Sequence, residues 1–104
     1  MVKEIVVQEK RITALTDESF FENIFNFAGE GEVLALNLKN VEMIDSSGIA
    51  RILSLRKKLE SKDSELAIVS PSPYVKKVLL ILGINRAIKV VENISQLMVE
   101  PHEG

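Results

Sequence analysis

Two hydrophobic rhythms alternate along the chain. Ile5, Val6 and Val7 form a β-branched run, and Ile12 and Leu15 continue it with polar residues between, the pattern of one long strand or a tight hairpin. Phe20, Phe21, Ile24, Phe25 and Phe27 then recur at helical spacing, which predicts an amphipathic helix over residues 17–28. Thr16, ahead of Asp17 and Glu18, is the expected N-cap, and the two acidic residues suit the positive end of the helix. Gly29-Glu30-Gly31 ends that helix. Residues 33–38 are apolar almost without a break, as in a strand covered on both faces. After Val41, Met43 and Ile44 comes Asp45-Ser46-Ser47-Gly48, where a second helical stripe starts and runs through Ile49, Ile52, Leu53, Leu55 and Leu59. Residues 61–64 read as a loop and residues 66–69 as another buried strand. Ser72 is a second candidate N-cap, with Pro73 at the first helical position, where a missing amide is harmless. Val75, Val78, Leu79 and Leu82 lie on one face of this third helix, and Gly83 suits its stop. Residues 87–91 read as a short strand and residues 94–99 as a short terminal helix before Pro101.

Alternation with such short loops predicts a single α/β domain over residues 1–100. The expected sheet is mixed or parallel, has four or five strands, and carries residues 33–38 and 66–69 at its centre, with about four helices packed on it. The phenylalanines are expected in the core with at most one exposed, and Leu80 and Ile81 are expected to add core contact to the third helix. Residues 101–104 read as a disordered tail.

Composition narrows the function more than the fold. Lys and Arg number 13 against 15 Asp and Glu, a net charge of -2, so no basic field points to direct nucleic-acid binding. Without cysteine there are no disulfides, thiol nucleophiles or cysteine metal sites. The single histidine, His102, stands almost at the end of the chain, which argues against a histidine-based triad or a histidine-rich metal site. No cofactor or metal is expected. No stretch is long and apolar enough to span a bilayer, and the first ten residues lack the pattern of a signal peptide. A cytoplasmic protein without membrane insertion is therefore expected. Arg51, Arg56, Lys57 and Lys58 read as a solvated outer face of the second helix, the other reading being a surface for an acidic partner.

The candidate chemistry is concentrated at Asp45-Ser46-Ser47-Gly48. Ligand sites in open α/β sheets gather at the carboxyl ends of strands, and free amides at a helix start attract anions. Two readings are open there. Asp45 or Ser46 caps the helix and Gly48 permits close packing, or a serine hydroxyl accepts a phosphoryl group. A phosphate-accepting Asp45 would need clustered carboxylates for Mg²⁺, and the end of the first strand offers only Ile12, Thr13, Ala14 and Leu15. A hydrolase built on Ser47 would lack its base. The site is therefore expected to bind rather than to catalyse.

Residues 41–50, Val-Glu-Met-Ile-Asp-Ser-Ser-Gly-Ile-Ala, with Leu53 after them, resemble the signature of the STAS domain family and in particular of bacterial anti-sigma-factor antagonists. Residues 75–84, with the Leu82-Gly83 pair, resemble that family's third helix, so the resemblance covers nearly the whole chain. It implies an antagonist that binds an anti-sigma factor with serine kinase activity and so frees a sigma factor. It also implies a serine phosphatase that resets the switch. Ser47 is the implied phosphate acceptor, with Ser46 as the alternative. Asp45, Ser46, Ser47, Gly48, Ile49 and Arg51 are the implied partner-binding residues, on a monomer or weak dimer. The rival within the family is a module that is never phosphorylated, such as a transporter or scaffold subunit. Lys10 and Thr13 stand where many members have a glycine and an acidic residue, and the short N-terminal region predicts a reduced or missing first edge strand.

Overall fold

The computed structural model describes residues 1–98. Its elements are β1 (Val2–Val6), β2 (Arg11–Ile12), α1 (Glu18–Phe27), β3 (Val33–Asn37), β4 (Met43–Ile44), α2 (Ser46–Leu59), β5 (Glu65–Val69), α3 (Pro73–Ile81) and β6 (Lys89–Val91). Single 3₁₀ turns cover Glu60–Lys62, Ile84–Arg86 and Ile94–Leu97. β1, β3, β5 and β6 form a four-stranded sheet in the order β1-β3-β5-β6, and β2 pairs with β4 in a separate two-stranded sheet. Every pairing is parallel.

The sheet grows in one direction along the chain. Right-handed crossovers therefore place all three helices on the same face. On that face the row Ile5, Leu36, Ile68 and Val90 runs across all four strands, with Leu34 beside Leu66 in the next row. Phe21 and Ile24 of α1, Ile49, Ile52, Leu55 and Leu59 of α2, and Val75 and Leu79 of α3 pack onto it as one core cluster. Each such side chain, once fully buried, contributes about 1.5–3 kcal/mol of transfer free energy. Ala35, Ala67 and Val69 are buried on the opposite face, outside that cluster. The unbroken apolar runs thus belong to β3 and β5, the two central strands, as expected.

Several local expectations are corrected. The first edge strand is present: β1 pairs along five residues with β3. No hairpin or single long strand forms, because β1 and β2 pair with different partners and residues 7–10 carry the chain between them. Asp17, not Thr16, caps α1, its carboxylate accepting the Ser19 amide at 3.0 Å, while the Thr16 hydroxyl accepts the Thr13 amide at 2.9 Å. Ser72 occupies the N-cap position of α3, but its hydroxyl donates to the Val41 carbonyl at 2.6 Å and stitches α3 to the segment before β4. Leu80, Ile81 and Leu82 are exposed: Val75 and Leu79 fill the inner face, and the chain turns away at Gly83, whose φ is +73°. Phe27 is the exposed phenylalanine, with the Lys3 ammonium 4.9 Å from its ring centre. The terminal helix is reduced to the 3₁₀ turn at Ile94–Leu97, while Val99 and the expected tail at 101–104 lie outside the described residues.

Polar contacts lock the amino end of the sheet. Lys62 donates to the carbonyls of Phe25 (2.7 Å) and Ala28 (2.9 Å), filling the open end of α1, and lies 4.1 Å above the Phe25 ring. Buried Ser64 donates to the Gly29 carbonyl at 2.5 Å. Glu32 accepts the Gly29 amide at 2.7 Å and pairs with Lys3 at 3.3 Å, its side chain only 16% exposed. The Gly29 amide, and less strongly Lys3, hold the Glu32 carboxyl below its ordinary value of 4.5 against the opposing effect of desolvation. A depressed folded-state pKa gives stability that is complete above the ordinary value and is lost as pH falls through the folded one. Glu32→Gln is therefore expected to melt below the wild type at neutral pH, with the gap narrowing as pH drops below 4.5. Thermal melts at pH 7 and pH 3 read this directly, and an equal gap at both would refute it.

Candidate functional site

β4 delivers buried Ile44 to the core, and the chain turns sharply at the next residue. Asp45 is extended, with φ -112° and ψ -177°, and its carboxylate accepts the Gly48 amide at 2.8 Å. Its own carbonyl accepts the Ile49 amide at 2.9 Å, the first bond of α2. Asp45 is thus the N-cap, and the amides of Ser46 and Ser47 precede the first intrahelical bond. Both serines are exposed. Among the described residues, neither hydroxyl makes a side-chain hydrogen bond. The site is therefore two solvent-facing hydroxyls at the positive end of a 14-residue helix.

Gly48 fixes where that helix can start. A Cβ there would lie 2.7 Å from the Ile12 carbonyl carbon, closer still to its oxygen, and 3.0 Å from Cγ1 of Ile44. The first turn of α2 therefore rests directly on the backbone of β2, an approach that only glycine allows. Ile49 faces the core, and Gly48 is covered by Ile12. Of the implied partner residues, Asp45, Ser46 and Ser47 are the ones presented to solvent, whereas Gly48 and Ile49 act by placing them.

Arg51 is one turn beyond Ser47, and its guanidinium is engaged within the chain. One nitrogen, Nη1, donates to the carbonyls of Thr13 (3.0 Å), Ala14 (3.3 Å) and Thr16 (2.5 Å), and Nη2 donates to Glu18 at 2.9 Å. The same group sits 4.4 Å above the Phe21 ring. The clamped loop is also closed internally, since the Leu15 amide donates to the Thr13 hydroxyl and the Thr16 amide to the Thr13 carbonyl. Asp17 next to it stays below the ordinary carboxyl range, first through the Ser19 amide and hydroxyl and then through Arg51. The loop carries Leu15 at 94% exposure. A groove of about 460 Å³ runs between this loop, Met43 and Asp45. Sequence reasoning missed this loop because the Arg51 contacts span 35 to 38 residues and leave no local pattern. Lys57 and Lys58 are exposed on the outer face of α2, and Lys58 lies 5.7 Å from the Phe25 ring. No helix of the described residues is long and apolar enough to cross a membrane.

The model of the STAS domain family matches residues 5–97. A Thermotoga maritima protein named provisionally as an anti-sigma factor antagonist is 35% identical over 65 residues, which are 62% of this chain and 58% of that protein. The anti-sigma F factor antagonist of Paenibacillus polymyxa is 32% identical over 62 residues, 60% of this chain and 53% of that protein. The matches thus span less than two thirds of either relative. The solution structure of the protein TM1081 superposes with a TM-score of 0.75 at 26% identity, covering 93% of this chain and 78% of that one.

The two constraints on the turn are separately testable. Gly48→Ala is expected to cost about 1–3 kcal/mol through overpacking, even though alanine is the better helix former by about 1 kcal/mol. For a domain of this size each kcal/mol lowers the melting temperature by roughly 4–8 °C. A melting temperature that holds or rises would rule out the close approach. Asp45→Ala is expected to lose about 0.5–2 kcal/mol with the cap, and Asp45→Asn to retain most of it. Denaturant titration of both variants checks the pair, and equal losses would mean that the Gly48 amide bond is not what Asp45 contributes.

Proposed function

The chain belongs to the STAS domain family, and from that premise we propose that it is a cytoplasmic anti-sigma-factor antagonist switched by phosphorylation of Ser47. The observation that carries the reading is the exposed Ser46-Ser47 pair, whose hydroxyls at the capped start of α2 are unclaimed among the described residues. The likeness to proteins named as antagonists supports it. In the unphosphorylated state the turn, with its small neutral Ser47, packs against an anti-sigma factor that is also a serine kinase, and the sigma factor is released. The kinase supplies the base and the nucleotide. The Ser47 oxygen takes the terminal phosphoryl group of a nucleoside triphosphate as that phosphorus–oxygen bond breaks, its proton passes to the kinase base, and nucleoside diphosphate leaves. Ser46 is the alternative acceptor, one residue closer to the cap. A serine phosphatase restores the hydroxyl. This chain works by stoichiometric binding, as a monomer or weak dimer.

Helix electrostatics let the modification leave the fold intact. A phosphoserine adds about 1.5 to 2 negative charges and three acceptor oxygens. The dipole and open amides of α2 offset part of that, by roughly 0.3–1 kcal/mol, against repulsion from Asp45. Binding responds differently. An interface closed around a hydroxyl has no room for a phosphate, and a loss of about 3 kcal/mol there weakens affinity more than a hundredfold.

Ser47→Asp is therefore expected to bind the purified kinase at least tenfold more weakly than wild type, and Ser47→Ala to bind without regulation. Both should melt near the wild-type temperature. Titration calorimetry and thermal melts read the two effects. Equal affinity of all three proteins would favour the never-phosphorylated module, and a collapsed melting temperature for Ser47→Asp would make the residue structural.

A further inference from the structure

Leu15 combines two properties that rarely occur together. It is almost fully exposed, and the loop that carries it is held by seven hydrogen bonds: three from Arg51, three internal bonds among Thr13, Leu15 and Thr16, and one from the Thr16 hydroxyl to the Arg11 carbonyl. Exposed leucines on mobile loops are common and need no explanation. Here the backbone that presents the apolar side chain is already fixed, so binding would have only the leucine rotamer left to order, which is what a binding anchor requires. The position is also specific. The groove beside Leu15 is also lined by Met43 and by Asp45, the cap of α2, so the loop and the start of the α2 turn border one surface. Glu9, Asp17 and Asp45 outnumber Arg11 along that groove.

We infer that residues 13–16 form the second half of the partner-binding surface, with Leu15 as its apolar anchor and Arg51 as the residue that positions the loop. The inference rests on the reading of the α2 turn as a docking site and names what the same partner must carry. That partner is a protein with an apolar socket for Leu15, edged by a cation that faces the carboxylates of the groove. Arg51 then acts on binding indirectly. Its guanidinium is used up by three carbonyls, Glu18 and the Phe21 face, and a lysine cannot reproduce that fork.

The test uses the intact protein and the purified serine kinase partner. Leu15→Ala is expected to bind about tenfold more weakly or worse, with an unchanged melting temperature because the side chain contributes nothing to the core. Arg51→Lys is expected to exchange its amides at residues 13–16 faster while the α2 amides keep their protection, and to lose a similar affinity. The double variant should be no weaker than the weaker single one, because both changes act through the same anchor. Wild-type affinity for Leu15→Ala, beside lost affinity for Ser47→Asp, would overturn the loop surface and leave the serine switch standing. Lost affinity for Leu15→Ala, beside wild-type affinity for Ser47→Asp, would do the reverse. Unchanged exchange at residues 13–16 in Arg51→Lys would overturn the positioning role.

Discussion

The close approach between Gly48 and the Ile12 carbonyl is the constraint on which the geometry of the site depends. It sets α2 against the backbone of β2 and brings Ile12 and Ile44 together as a buried pair. With that contact made, the helix starts at Ser46, two residues after Ile44, which leaves Asp45 between them to close the turn through the Gly48 amide. Ser46 and Ser47 are then the residues that the turn pushes outward. Their exposure is the geometric consequence of the glycine that follows them, rather than of their polarity. The two-residue strands β2 and β4 would be marginal alone, and the seated helix gives them a reason to pair.

The two ends of the main sheet have opposite characters. At the amino end, polar groups close on one another: Lys62 fills the carbonyl end of α1, Ser64 holds Gly29, and Glu32 bridges the Gly29 amide and Lys3. Buried polar groups that are satisfied in this way fix a conformation and offer little to a ligand. At the carboxyl end the chain instead leaves hydroxyls, carboxylates and Leu15 at the surface. Ser70 marks the same end, since its φ of 50° is tolerated with its amide bonded to the Val91 carbonyl and its hydroxyl to that of Glu92. Rigidity at one end supports presentation at the other.

Sequence pattern reached the parts of this arrangement that are local. The apolar runs of β3 and β5 marked the central strands, and the Asp-Ser-Ser-Gly turn marked the helix start at which the exposed serines lie. Periodicity failed where the partner of a residue is distant. Arg51 reads as part of a charged outer face and, through the family resemblance, as a partner contact, because nothing near it announces carbonyls 35 to 38 residues away. The short N-terminal segment predicts a reduced first edge strand, yet all five residues of β1 find parallel partners on β3, a pairing that segment length alone does not reveal. Leu80 and Ile81 misled in the opposite sense: composition suggested core, but the helix had already used its inner face for Val75 and Leu79. The N-cap of α1 turned on a choice between adjacent side chains, and the carboxylate of Asp17 took the Ser19 amide while Thr16 turned back to Thr13.

A binding module that must be switched without being unfolded faces competing demands. The modified residue has to be decisive for the partner and irrelevant to the core. This fold separates the two along one helix. Gly48, Ile49, Ile52, Leu55 and Leu59 face inward and contribute to packing, while Ser46 and Ser47 at the open end contribute two hydroxyls that bond to nothing in the described chain. Adding charge at that end works with the helix dipole, whereas the same charge at the last turn, among Arg56, Lys57 and Lys58, would cancel cations that already favour that terminus. Arg51 stands between the two regions, one turn from Ser47 and bonded to the loop that presents Leu15. Residues separated by four on a helix lie within about 5–6 Å of each other at Cβ, so a phosphate on Ser47, as proposed, would arrive next to a guanidinium whose bonds hold the neighbouring loop. The serine and the loop therefore share one electrostatic neighbourhood while the core beneath them is apolar, and a charge change at this surface is confined to it.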